Sequence, residues 1–182
     1  MDRILVVVDM QNDFIDGVLG TKEAQAIVDS VCMKIRAFDG DILVTLDTHQ
    51  TDYLSTQEGV HLPVEHCIKN TDGWRLQKDV QAALSEKAAA GCNVLYFEKP
   101  TFGSADLANY LAKRNADKTI GQITLIGVCT DICVVSNAIL LKAVLPEVKL
   151  TVDPACCAGV TPAQHQAALD TMRSCQICVE DC

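Results

Sequence analysis

The 182-residue sequence has no run of about 18 apolar residues, the length a helix needs to cross a bilayer, so a membrane-spanning segment is not expected. It has no basic cluster either: 15 basic residues are interspersed among 24 acidic ones, giving a formal net charge of −9. That balance repels a phosphate backbone and argues against nucleic acid as a partner. An export signal is also missing, because the apolar start at residues 4–8 stops at Asp9, too short for a secretory leader. A cytoplasmic location follows as the expectation. Internal repeats and low-complexity linkers are absent too, so the chain is expected to form one domain, residues 1–182, with a full core.

What is there is 49% apolar residues and ten cysteines. In a chain of this length without an export signal, those thiols are expected to stay reduced, most of them as small buried apolar groups. Six short apolar runs read as strands, at residues 4–8, 42–46, 93–97, 123–126, 149–152 and 176–179. They are continuous rather than alternating, as strands covered on both faces should be.

Helical patterns fall between them. Ala24, Ile27, Val28, Val31, Ile35 and Phe38 recur at three- and four-residue steps, which predicts one helix over 21–38. Leu76, Val80, Ala83, Leu84 and Ala88 predict another, stopped at Gly91. A more fully buried helix is expected over 132–144, a short one after Ser104, and one opened by Thr161-Pro162, where a capping hydroxyl precedes a first-turn proline. Alternating strands and helices imply right-handed crossovers and a Rossmann-like three-layer α/β/α domain around a mostly parallel six-stranded sheet. Residues 47–73 alone lack clear periodicity, and a loop that long is usually functional.

Ligands of an open parallel sheet bind beyond the carboxyl ends of its strands. Four residues fall there: Asp9 after the first strand, Asp47 after the second, Lys99 after the third, and Cys133 about one turn into the helix after the fourth. Taken singly, each type is more often a cap, a solvated surface group or a core residue; their shared edge raises the functional reading. At a helix start, free amides and the dipole favour a thiolate at Cys133 and could stabilise an oxyanion. A carboxylate such as Asp9 can take the thiol proton and return it to a leaving amine, while Lys99 favours and orients the charged forms.

A second constellation is Asp47-Thr48-His49, followed by Glu58, His61 and His66. An Asp and a His two apart on an extended segment project to one side and can reach one ion. Mixed oxygen and nitrogen ligands suit zinc, manganese or iron, and the set does not choose among them. Surface polar residues of a loop are the plainer reading of this stretch.

Taken together, these stretches resemble a known family. Val6-Val7-Val8-Asp9-Met10-Gln11-Asn12-Asp13-Phe14 resembles the opening motif of nicotinamidase-like cysteine hydrolases of the isochorismatase-type superfamily. Leu46-Asp47-Thr48-His49 resembles the metal-binding segment of that family, and Pro63-Val64-Glu65-His66-Cys67 its Pro-x-His-Cys segment with one extra residue. Glu98-Lys99 resembles the strand-end lysine, and Gly127 to Val134 the nucleophile motif.

The resemblance implies a catalytic triad of Asp9, Lys99 and Cys133. It implies Asp47, His49, Glu58 and His66 as ligands of one divalent metal, zinc first, with His61 in reserve for the Glu58 place. A cis peptide between Val128 and Cys129 is implied as well, aiming the Cys129 and Cys133 amides at the substrate oxygen. The substrate pocket is expected to involve Phe14, Leu62, Phe102 and Val128. Leu62 stands where many nicotinamidases carry a ring-stacking aromatic, and Cys129 where a small alanine is usual. The implied reaction is hydrolysis of nicotinamide through a thioester, with another small amide or carbamoyl compound as the alternative substrate. Vinyl-ether cleavage fits less well, since relatives doing that chemistry lack the Asp-x-His site and the cysteine. A non-enzymatic thiol sensor or metal-binding protein is the reading of another class, raised by Cys129-x-x-x-Cys133 and by Cys175, Cys178 and Cys182. A homo-oligomer is an expectation by family analogy only.

Overall fold

In the computed structural model, which describes residues 1–180, the sheet contains six strands: β1 (Asp2–Val8), β2 (Asp41–Asp47), β3 (Val94–Lys99), β4 (Ile120–Val128), β5 (Lys149–Ala158) and β6 (Cys178–Val179). Their spatial order is β3-β2-β1-β4-β5-β6, and every pairing is parallel. The helices are α1 (Asn12–Ile15), α2 (Lys22–Ala26), α3 (Val28–Ala37), α4 (Gln57–His61), α5 (Lys78–Ala89), α6 (Ala105–Arg114), α7 (Val135–Val144) and α8 (Pro162–Ser174).

The layers follow from the two-residue period of β1. Ile4, Val6 and Val8 join a core with Leu107 and Leu111 of α6, Ala138 and Leu141 of α7, and Leu169 and Met172 of α8. Leu5 and Val7 face the other way, against Val31 and Ile35 of α3 and Val80 and Leu84 of α5. The strand is therefore apolar at consecutive positions because both faces are covered. Each such fully buried side chain contributes roughly 1.5–3 kcal/mol.

Three expectations are corrected. The helix over 21–38 is two helices, α2 and α3, because the backbone at Ile27 turns to φ −90°, ψ −8° and breaks the ladder there. The helix over 132–144 begins as a π turn, Thr130–Val134, and continues as α7, which buries only one face: Ile139 and Val144 are more than a third exposed. The fifth strand runs past Val152 to Ala158, because an irregularity between Leu125 and Gly127 in the β4 pairing lets the chain pass Asp153-Pro154 and rejoin at Cys157. The expected cap at Thr161 forms, its side chain accepting from the Gln164 amide, and Thr21 and Ser104 cap α2 and α6 in the same way.

The strand order reverses between β1 and β4, which opens a crevice at their carboxyl ends. Gly127 makes that junction close: its φ is +118°, and an added Cβ would stand 2.1 Å from the Val8 carbonyl oxygen. Asp9, one residue beyond β1, turns sharply at φ 50°. Among the described residues, no helix is long and apolar enough to cross a membrane.

Candidate active site

Asp9, Lys99 and Cys133 arrive from three segments of the carboxyl edge and meet in the interior, at 0%, 1% and 5% exposure. Lys99 Nζ lies 2.7 Å from Asp9 Oδ2, 3.5 Å from Cys133 Sγ and 3.3 Å from Asp47 Oδ1. Burial works against the ammonium charge, but Asp9, Cys133 and Asp47 around it hold Lys99 protonated, above the ordinary lysine range. For Asp9 the balance goes the other way. Burial, supported by the Asp47 charge, exceeds the attraction of Lys99 and raises the carboxyl above its ordinary value. A raised carboxyl is a better proton acceptor, which is what a general base requires.

Cys133 departs from the sequence expectation. Burial, and next the Asp9 charge, push its thiol well above the ordinary value despite the nearby lysine. Enclosure works against the helix start and favours the thiol over the thiolate. The turn carrying it is fixed at both ends. Ile132 and Val134 donate their amides to the Cys129 carbonyl, Thr130 Oγ1 lies 2.8 Å from His165 Nδ1, and Asp131 Oδ1 accepts from the Val160 amide. The peptide joining Val128 to Cys129 is cis. Val128 itself is fully buried in the core on the α3 and α5 face, and burial drives the Cys129 thiol up to about 12.

Beside the trio, Asp47, His49 and His66 bring one ligand atom each within 4.8 Å of one another, all buried. Asp47 Oδ2 is 3.0 Å from His49 Nε2 and 3.4 Å from His66 Nε2. Burial opposes the Asp47 charge, but the hydrogen bonds from His49 and His66 more than offset it and hold this carboxyl well below the usual range. Glu58 joins from α4, with Oε1 at 3.6 Å from His49 Nε2 and 3.8 Å from His66 Nε2. His61 does not: it is exposed and turned back to the Gln57 carbonyl. Two ring nitrogens and carboxylate oxygens converging in a buried place fit a divalent transition metal, because such a set seldom gathers without a charge to hold it.

Aromatic side chains wall the cluster. Phe14 is nearly buried, with its ring 5.5 Å from that of His66. Tyr53, which the sequence pattern did not single out, is fully buried against His49 at 4.6 Å and His66 at 5.0 Å, and its hydroxyl donates to the Leu62 carbonyl. Leu62 and Phe102 are exposed at 38% and 47%. The Phe102 carbonyl is tied to Asn137, a buried amide that also donates to the Cys133 carbonyl and accepts from the Ser104 amide. Neither Tyr53 nor Asn137 lies in a motif of its own; a long unpatterned loop and a polar residue inside an apolar helix were the only sequence signals.

Fold and site together place this protein among the hydrolytic enzymes built on a parallel α/β sheet. The isochorismatase domain model matches residues 3–181, and the chain belongs to that family. It is 31% identical to an uncharacterized isochorismatase family protein, PncA, of Bacillus subtilis over 76% of this chain and 78% of that one. With the nicotinamidase of Saccharomyces cerevisiae it shares 27% identity over 75% and 80% of the two chains. Among solved structures, the nicotinamidase/pyrazinamidase PncA from Bacillus subtilis superposes with a TM-score of 0.85 at 26% identity, covering 100% of both chains. The pyrazinamidase of Pyrococcus horikoshii in complex with zinc superposes at 0.76 and 25% identity, again over 100% of each.

Proposed function

We propose that this protein hydrolyses a small carboxamide, nicotinamide before others, to the acid and ammonia through a thioester on Cys133. The observation that carries the reading is the Lys99 ammonium standing between Asp9 and Cys133 in a water-poor interior. Asp9 takes the Cys133 proton, and the sulfur attacks the carboxamide carbon. The C–N bond then breaks as Asp9 returns the proton to the departing ammonia. Water next adds to the thioester with Asp9 again accepting a proton, and cleavage of the C–S bond releases the acid and restores the thiol. Lys99 stays protonated throughout and keeps the two acidic groups facing each other. The Cys129 and Cys133 amides would donate to the developing oxyanion.

Asp47, His49, His66 and Glu58 would hold one divalent ion, zinc being the first choice. Such an ion supplies Lewis acidity for binding a ring nitrogen and water. Tyr53 and Phe14 would orient an aromatic substrate by enclosing the imidazoles that face it.

A second reading keeps this chemistry and changes the substrate to an aliphatic amide or carbamoyl compound, because Leu62 offers an exposed aliphatic side chain where an aromatic would stack. The test is ammonia release from nicotinamide and from aliphatic amides by zinc-loaded protein. Turnover of nicotinamide that disappears in Cys133→Ala is the expected result. Wild-type turnover retained by that variant would overturn the scheme, and preference for an aliphatic amide would select the second substrate.

A further inference from the structure

Two buried acids, Asp9 and Asp47, share one ammonium, at 2.7 and 3.3 Å from Lys99 Nζ. Attraction to the lysine therefore does not distinguish a carboxylate meant to move a proton from one meant to bind a metal. What distinguishes them is the polar side chain holding each from behind. We propose that Thr45 and Gln11 form a reciprocal clamp: Thr45 presents Asp9 for proton transfer and Gln11 presents Asp47 as a metal ligand. The assignment rests on the proposed amide hydrolysis and names two positioning residues for it.

Thr45, two residues before Asp47 on β2, is fully buried. Its hydroxyl donates to Asp9 Oδ1 at 2.6 Å, and its carbonyl accepts the Asp9 amide at 3.2 Å. A hydroxyl has one proton to give, and here it is committed to Oδ1. Asp9 Oδ2 is turned from the threonine to the Lys99 ammonium at 2.7 Å, on the side where Cys133 lies, so it is the oxygen left to receive the thiol proton.

Gln11, two residues after Asp9, mirrors this arrangement. It too is fully buried; its Oε1 accepts the Asp47 amide at 2.8 Å, and its Nε2 donates to the Asp47 carbonyl at 2.8 Å. Nε2 also donates to the Trp74 carbonyl at 2.8 Å. The side-chain amide thus pairs with both backbone groups of Asp47 as a neighbouring strand would, leaving its carboxylate to His49, His66 and Lys99. Each acid is fixed by the near neighbour in sequence of the other.

The clamp predicts separable defects. Four variants are compared with the wild type: Thr45→Val, Thr45→Ser, Gln11→Met and Gln11→Glu. The readouts are kcat and KM for nicotinamide, zinc affinity by competition with a chromogenic chelator, and the rate of Cys133 alkylation by iodoacetamide in metal-free protein. Thr45→Val should lower kcat and alkylation about tenfold or more with KM and zinc affinity within about twofold, and Thr45→Ser should restore both. Gln11→Met should weaken zinc about tenfold or more while alkylation stays within about twofold of wild type. If it does not fold, Gln11→Glu, which keeps the acceptor for the Asp47 amide, carries the same expectation.

Equal losses of zinc affinity and thiol reactivity in the Thr45 and Gln11 variants would overturn the clamp, as would full kcat and alkylation in Thr45→Val or no rescue by serine. Should the wild type leave nicotinamide intact, the proposed function fails on its own, and the zinc and alkylation measurements still decide the clamp.

Discussion

Lys99 Nζ sits 2.7 Å from Asp9 Oδ2, with the lysine 1% exposed and the aspartate 0%. Both charges have left water; Lys99 compensates Asp9, and Asp9 together with the Asp47 carboxylate alongside compensates Lys99. Truncating one partner of a buried pair strands the other charge, which typically costs about 3–5 kcal/mol. Lys99→Met is accordingly expected to lower unfolding stability by about that amount and to abolish turnover. Urea unfolding with activity on the same preparation checks it; an unchanged midpoint would mean that Asp9 has found another partner.

Metal removal should separate stability from folding. The Asp47, His49 and His66 cluster holds its ligand atoms in place from β2 and the long loop. An ion binding only the folded chain stabilises it by about 2.7 kcal/mol at a hundredfold excess over Kd. Thermal melts with chelator, then with added zinc, should rise in Tm with zinc. His66→Ala should flatten that rise, and an equal zinc response in the variant would remove His66 from the ligand set.

Alkaline pH should destabilise the protein through its buried thiols. Burial raises the pKa of Cys67, Cys133 and Cys157 above the thiol range and that of Cys129 to about 12. Groups with a raised folded-state pKa keep their full contribution below the unfolded value, near 8.5 for a thiol, and lose it as pH rises above it. Each thiol should then cost about 1.4 kcal/mol per pH unit. Unfolding midpoints measured between about pH 7 and 10 should fall above about 8.5, less so in Cys157→Ala; a flat profile would contradict the burial.

Gly127→Ala should damage the site without touching a reactive group. The new Cβ would meet the Val8 carbonyl oxygen at 2.1 Å on a backbone with φ +118°, so the end of β4 must move away from β1. Because Asp9 and the Cys133 turn leave from these two strand ends, activity should fall more than the Tm change accounts for. A crystal structure or circular dichroism with kinetics tests this, and normal activity would show that the junction tolerates a shift.

The parallel sheet was legible in the sequence because β1, β2 and β4 are apolar at consecutive positions, a pattern only a strand covered on both faces sustains. The break at Ile27 and the run of β5 past Pro154 were not, since both depend on what the neighbouring layer or strand permits. Cys175 and Cys178 are exposed free thiols, and Cys182, the third of that group, lies outside the described residues.

By itself the sequence determined which chemical groups the protein carries and which edge of the sheet they leave from, because strand period and residue type are local properties. Only the tertiary structure decided that Glu58 joins the histidines while His61 turns to solvent, and that Tyr53 lines the cluster. It also decided that burial pushes the Cys133 thiol up. Those outcomes depend on burial and on distances between residues far apart in the chain, which spacing along the sequence does not encode.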